Sequence, residues 1–247
     1  MNITMDALMK ETKEPLRRAY WKITVTTVIL MMLAAAVSYS ALVGTINEIP
    51  GLFQRVIANE FSGERTLDFR MVAVVLTMVG GMLMLSLIIK LFLNIFLENP
   101  LLVGADKMML SALEPGEPVV LASLAHAFDS DYLNSVKVMF LKRLFRDLWM
   151  LCLIVPGIIK GYEYMLIPYL LAENPYQTWH EVFAKSKQMM KGYKKKAFLI
   201  DLYFIPWSIL GLLTMGILTV FYIEPKKTLV KADFYLKVKS MYEGENE

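Results

Sequence analysis

The chain is poor in the residues on which most soluble enzymes depend. Cys152 is its one cysteine in 247 residues, so no disulfide can close within it and no cysteine metal site can form. Its two histidines, His126 and His180, stand far apart, and neither has a partner at a metal-ligand spacing. No P-loop, HExxH, GxSxG or GxGxxG string occurs. That removes the usual signatures of nucleotide binding, zinc hydrolysis, serine hydrolysis and dinucleotide binding. Asp129-Ser130-Asp131 has the spacing of a metal-nucleotide DxD but reads better as a helix start ahead of Tyr132. Charge is scarce too. Only 20% of residues are charged, where a soluble domain has about 25%. A net charge of +3 makes no general case for nucleic acid. No cofactor, no metal and no enzymatic activity are expected.

What is abundant is apolar. Hydrophobic residues make up 56% of the chain, mean hydropathy is +0.47, and the charges cluster between long apolar runs. This pattern predicts an all-α, polytopic helical membrane protein. The 18 methionines read as fillers of irregular apolar gaps, not as copper ligands.

In chain order, residues 1–22 form a polar cytoplasmic segment carrying Lys10, Lys13, Arg17, Arg18 and Lys22. The run Ile23–Ile46 is uncharged and spans about 36 Å as a helix, enough for a hydrocarbon core of about 30 Å. It is too long for the ~7–15-residue core of a signal peptide, so a retained helix is expected. A connection over 47–70 and a second span, Met71–Leu97, complete a first hairpin over 23–97. Five cations precede the first helix, and Arg55, Arg65 and Arg70 follow it, which places the N-terminus inside. Gly80-Gly81 permits close helix approach, Lys90 can snorkel, and the helix is expected to stop at Glu98-Asn99-Pro100.

Residues 98–147 are expected to be a cytoplasmic amphipathic region. Tyr132, Val136, Met139, Phe140 and Leu144 recur at helical spacing, with Lys137, Lys142, Arg143 and Arg146 between them. The stretch Leu148–Leu171 then has two readings. As one span it fits a bilayer in length, but it puts Lys185, Lys187, Lys191, Lys194, Lys195 and Lys196 outside, against the charge rule. As a hairpin over 148–173 turning at Pro156-Gly157 it returns those lysines to the cytoplasm, although Leu148–Val155 covers only about 12 Å. Charge favours the hairpin.

Residues 174–196 form a basic interfacial helix, opened by Thr178 and Glu181 at capping-box spacing. Residues 197–247 form a third hairpin with a cytoplasmic tail, turning near Thr214-Met215-Gly216, because Lys226, Lys227, Lys231, Lys237 and Lys239 again prefer the inside. About six membrane-embedded helices in three hairpins result, within one integral membrane domain over 1–247. A weak repeat accompanies them. Glu98-Asn99-Pro100, Glu173-Asn174-Pro175 and Glu224-Pro225 each follow an apolar run.

The ordered strings Leu148–Gly161 (LWMLCLIVPGIIKG), Tyr162–Pro175 (YEYMLIPYLLAENP), Ser186–Gly192 (SKQMMKG), Lys196–Trp207 (KAFLIDLYFIPW), Leu212–Leu218 (LLTMGIL) and Ala232–Tyr235 (ADFY) resemble the bacterial membrane-protein family known as domain of unknown function 975. The resemblance covers about residues 98–240. It implies a multi-pass protein of the bacterial cytoplasmic membrane with five or six helices and brings no catalytic residues. The chain departs from the family pattern at Pro225-Lys226-Lys227. A more distant likeness, through the proline-glycine hairpin, is to membrane domains found beside glycerophosphodiester phosphodiesterases.

Three ionisable residues stand out within the apolar runs. Lys160 and Glu163, spaced i,i+3, can neutralise one another, as a structural pair or as a functional one. Asp201 is expected to meet Lys194–Lys196 in a salt bridge. Pro156, Gly157 and Gly161 mark the break, and the GxxxG spacing of the glycines suits packing inside the bundle more than a dimer face. The expected partners are the bilayer itself, above all anionic inner-leaflet lipids bound by the Lys185–Lys196 cluster, and a membrane-protein partner. The expected role is a non-enzymatic lipid- or partner-binding membrane component, with a transporter or peptide-export and immunity component as the alternative. An intramembrane lipid enzyme, resting on the distant likeness alone, is the remaining option.

Overall fold

A computed structural model describes residues 3–33, 35, 51, 54, 69–129 and 131–244. The second half of the Ile23–Ile46 run and nearly all of the 47–70 connection lie outside the described residues, as does Ser130 of the DxD string. Among the described residues all regular structure is helical.

The chain divides into two compact units, Met31–Glu98 and Met1–Leu30 with Asn99–Glu247. The smaller unit contributes α3 (Phe69–Leu93) and a π-helical turn, Asn94–Glu98. Leu83, Met84, Leu85, Leu87, Ile88, Leu91 and Phe92 of α3 are more than half exposed. In that turn Asn94 Nδ2 donates to the Glu98 carboxylate.

The larger unit begins with α1 (Met5–Glu11) and residues 13–30 of α2 (residues 13–33). Two of the cations of α2 are tied to distant backbone carbonyls. Arg18 donates to the carbonyls of Ala112 (2.8 Å) and Glu114 (3.2 Å), and Lys22 donates to that of Val119 (2.6 Å). These carbonyls end α4 (Asn99–Leu113) and the turn after it, where cations are favoured by the helix dipole. A 3-10 turn (Leu121–Ala125), the short α5 (His126–Asp129) and the long α6 (Tyr132–Cys152) follow. Next come α7 (Ile154–Glu163), α8 (Ile167–Glu173), α9 (Trp179–Met189), α10 (Lys194–Leu213), a second π turn (Thr219–Ile223) and α11 (Glu224–Gly244). The core of this unit is built from α4 (Val103, Met108, Leu110), α8 (Leu166 to Ala172) and α11 (Leu229, Val230, Phe234, Tyr235, Val238). Tyr169 and Tyr235 stack across it at 5.1 Å.

Two reversals shape what projects from that core. The chain turns back at Leu153, whose backbone is extended (φ −157°, ψ 131°), and not at Pro156-Gly157 as the sequence suggests. Pro156 sits in the first turn of α7, where a missing N–H costs nothing. The approaching arm is therefore the end of the 21-residue α6, not an isolated eight-residue helix. The second reversal ends α10 in a Schellman arrangement. Gly216 N–H bonds the Gly211 carbonyl (2.8 Å) and Met215 N–H bonds that of Leu212 (3.2 Å). Both Met215 (φ 53°) and Gly216 (φ 87°) are left-handed there. Thr219 and Ile223 consequently come back against Gly211.

The proline repeat divides differently from its sequence reading. At Pro175 the helix does stop, after α8. At Pro100 and Pro225 it does not, because each proline is the second residue of a new α-helix entered from a π turn. A π turn already shifts the hydrogen-bond ladder, so the missing proline donor falls where the pattern is being reset.

Two helical stretches are long and apolar enough to cross a membrane, Leu76–Leu113 and Lys194–Leu213. The expectation of six embedded helices is thus matched by two of sufficient length among the described residues. With 10 residues, α7 covers about 15 Å, half the hydrocarbon thickness.

Candidate functional site

The bases of the two hairpins carry the ionisable groups. On α7, Lys160 Nζ lies 2.6 Å from Glu163 Oε2 and 5.6 Å above the Trp149 ring. The pair is really a triad, since Lys194 at the start of α10 grips the other Glu163 oxygen. The Glu163 side chain is only 7% exposed. Ser186 of α9 donates to the Glu163 backbone carbonyl at 2.6 Å, so one residue fastens three helices together. Lys194 is therefore committed to an internal partner and does not belong with the free surface cations. Lys196 lies over the Tyr193 ring, Lys185 is half-buried, and Lys187, Lys191 and Lys195 are exposed.

Asp201 does not meet Lys194–Lys196. Its partners are Lys231 (2.7 Å) and Lys227 (3.7 Å) on α11, with the Tyr162 hydroxyl donating to it at 3.2 Å. On a helix only residues three or four apart face one another. The positions three and four before Asp201 are Phe198 and Ala197, so none of the three lysines can reach it along α10.

Lys231 and Asp201 open onto a cavity of about 490 Å³ that the sequence does not announce. One stripe of α6 forms its wall, Lys142, Arg146 and Met150, spaced i, i+4, i+8. Opposite lie Gly157, Ile158, Gly161 and Tyr162 of α7, with Tyr169 of α8 and Asp106 of α4 at its base. The Tyr169 hydroxyl bonds the Asp106 carboxylate, which also faces Lys142 and Lys231. Burial pushes the Lys142 ammonium down to about 8, with Arg146 and Lys231 helping and the negative charge of Asp106 resisting. The cavity is polar where α4, α6 and α11 meet, and apolar along Met150 and Ile158 toward the hairpin tip.

The two glycines have separate jobs. A Cβ on Gly157 would lie 2.7 Å from Met150 Cα and 2.8 Å from its backbone nitrogen, so α6 and α7 touch there only because the residue is glycine. A Cβ on Gly161 would meet Arg146 Cδ at an ordinary 3.8 Å, leaving the cavity wall open. Of the GxxxG pair, Gly157 alone makes a close contact within the hairpin.

Of the residues singled out from sequence, Lys160, Glu163 and Lys194 come together, Asp201 joins a different cluster, and Asp106, Lys142, Arg146 and Lys231 were not identified as site residues. The family described as "Protein of unknown function (DUF975)" matches residues 5–242. No curated protein and no solved structure matches the chain.

Proposed function

The chain belongs to the DUF975 family, of unknown function, and from that premise we propose that it is a non-enzymatic integral component of the bacterial cytoplasmic membrane that binds anionic inner-leaflet lipids. The observation that carries this reading is the composition of the hairpin tips. Leu151, Leu153, Ile154 and Val155 at one tip, and Leu212, Leu213, Met215 and Ile217 at the other, are each at least 65% exposed, and no charged residue interrupts either set. Surfaces of that kind need an apolar solvent. The lysines of α9 and the start of α10 lie at the opposite, basal end, which suits a cytoplasmic leaflet that is negatively charged.

Length sets the depth of each hairpin. Ile154–Ile159 rises about 9 Å before Lys160, and Leu202–Leu213 rises about 18 Å beyond Asp201. Against a core of about 30 Å, the second hairpin enters the near leaflet and returns, which keeps the lysines of α9 and those of α11 on one side, the cytoplasmic one.

Cys152 supplies a native probe at the first tip. A nitrobenzoxadiazole fluorophore on Cys152 of the reconstituted protein is expected to be quenched by doxyl-labelled lipids and shielded from aqueous iodide. Iodide quenching equal to that of the free dye would end the reading. The charge arm is separate. Lys187→Gln, Lys191→Gln and Lys195→Gln together should weaken the preference for phosphatidylglycerol over phosphatidylcholine bilayers, and an unchanged preference would remove the surface-lysine part of the reading.

A transporter or peptide-export and immunity component is the second reading. It is favoured by a charged cavity beside helices entered through π turns, a combination suited to ligand passage. It requires Glu163→Ala to abolish a transport or resistance phenotype at normal expression; a normal phenotype excludes that role for Glu163.

A further inference from the structure

We infer that the cavity between α6, α7 and α11 holds the phosphodiester of one anionic phospholipid, gripped by Lys142, Arg146 and Lys231, with an acyl chain laid along Met150 and Ile158. The inference rests on the membrane reading above and adds to it a single stoichiometric site.

Three features of the cavity select this ligand. The first is charge. Its wall carries three cations, Lys142, Arg146 and Lys231, against Asp201 and Asp106, whose carboxyl group is pushed by burial up to about 7, so at least one positive charge is left to be matched. A phosphodiester with no amine carries a single negative charge, whereas a choline or ethanolamine headgroup is neutral overall. The second is the state of the cations. Asp201 already holds Lys231, and Asp106 faces Lys142, so both ammoniums are fixed in place before any ligand arrives. Arg146 is paired with Asp147, an exposed neighbour in sequence, at 2.8 Å, and that contact can be exchanged for a buried phosphate. The third is polarity along the wall. The step from Lys142 through Arg146 to Met150 runs along one stripe of α6 toward the apolar tip at Leu153. It matches the order headgroup, glycerol, acyl chain for a lipid whose tail points into the leaflet. Gly161, with no side chain, leaves room beside Arg146.

A soluble phosphate ester would satisfy the cations but not the apolar half, so the test compares the two sources. Full-length protein in a neutral detergent is titrated with dioleoyl-phosphatidylglycerol, its deacylated headgroup glycerophosphoglycerol, and dioleoyl-phosphatidylcholine, and bound copies are counted by native mass spectrometry. Wild type should form one saturable 1:1 adduct with phosphatidylglycerol, at least tenfold tighter than with either comparator. Arg146→Gln and Lys231→Gln should each weaken it tenfold or more. Gly161→Leu fills the cavity without removing charge and should abolish the adduct at a melting temperature no lower than wild type, which keeps the site testable if a charge variant fails to fold. Lys187→Gln, Lys191→Gln and Lys195→Gln should leave the adduct intact, so loss of surface preference and loss of the single site are told apart. Equal affinity for phosphatidylcholine, equal affinity for glycerophosphoglycerol, or a Gly161→Leu protein that binds as well as wild type would each overturn the inference.

Discussion

Replacing Gly157 by alanine asks whether α6 and α7 really meet where the fold requires. The added methyl would stand 2.7 Å from Met150 Cα and 2.8 Å from its nitrogen, where ordinary carbon contacts are about 3.5–4 Å. Met150 Cγ also stands in the way and can swing aside, but the Cα and the nitrogen are backbone and cannot, so the two helices must part by about 1 Å. Overpacking of this kind costs about 1–3 kcal/mol. Against it stands the gain of about 1 kcal/mol from alanine's better helix propensity. The net expectation is a loss of about 0–2 kcal/mol. Gly161 is the internal control, because its added methyl meets nothing closer than 3.8 Å and only the propensity gain remains. The two variants should therefore differ by the packing cost alone, about 1–3 kcal/mol. At about 2–4 °C per kcal/mol for a chain of this size, Gly157→Ala should melt roughly 2–12 °C below Gly161→Ala. Fluorescence-detected melting of the purified full chain in one detergent measures both. A Gly157→Ala protein that melts at or above Gly161→Ala would refute the helix contact, and with it the hairpin turning at Leu153.

Two further perturbations probe the hairpin bases and the second turn. Glu163→Gln leaves Lys160 and Lys194 without their counter-charge. Both lysines keep some access to water (23% and 31% exposed), so the loss should fall below the ~3–5 kcal/mol of a fully buried pair, at about 1.5–3 kcal/mol. Adding Lys194→Gln to it should cost less than the sum of the single changes, and strict additivity in melting experiments would mean the two side chains do not interact. Met215→Gly removes a side chain from a left-handed residue (φ 53°) and should stabilise by about 1 kcal/mol, while Gly216→Ala (φ 87°) should destabilise by a similar amount. No difference between these two in a parallel melt would argue against the Schellman ending of α10.

The all-helical class was legible in the sequence because it rests on apolar periodicity and run length. So were the capping box, where Thr178 Oγ1 and the Glu181 side chain do exchange bonds with each other's backbone, and the reversal near Thr214–Gly216, where glycine marks the turn. The Lys160–Glu163 contact was legible for the same local reason. Its third member, Lys194, lies 31 positions away from Glu163, and no local rule reports it. The cavity was illegible on the same ground. Asp106, Lys142, Asp201 and Lys231 come from four helices, and of these only Asp201 stands out in the sequence; the other three each look like an ordinary solvated charge. The Asp201 error was avoidable, since helical spacing by itself rules out Lys194–Lys196 as its partners. Pro100 and Pro225 misled because proline is read as a stop, whereas a π turn ahead of it lets a new helix begin without a loop.

That second π turn also fixes the angular phase of everything C-terminal to it. Each residue of an α-helix advances the chain by about 100°, and a π turn accommodates one residue more than an α turn does. Rewinding Thr219–Ile223 as regular α-helix with every residue kept would rotate α11 by about that angle relative to Ile217-Leu218. Lys227 and Lys231 would then swing off Asp201, and the internal clamp from Lys237 to Glu11 (2.7 Å) and from Lys239 to Glu173 (2.7 Å) would lose its alignment. The irregular turn is thus the spacer that brings a C-terminal row of lysines into step with carboxylates on three other segments.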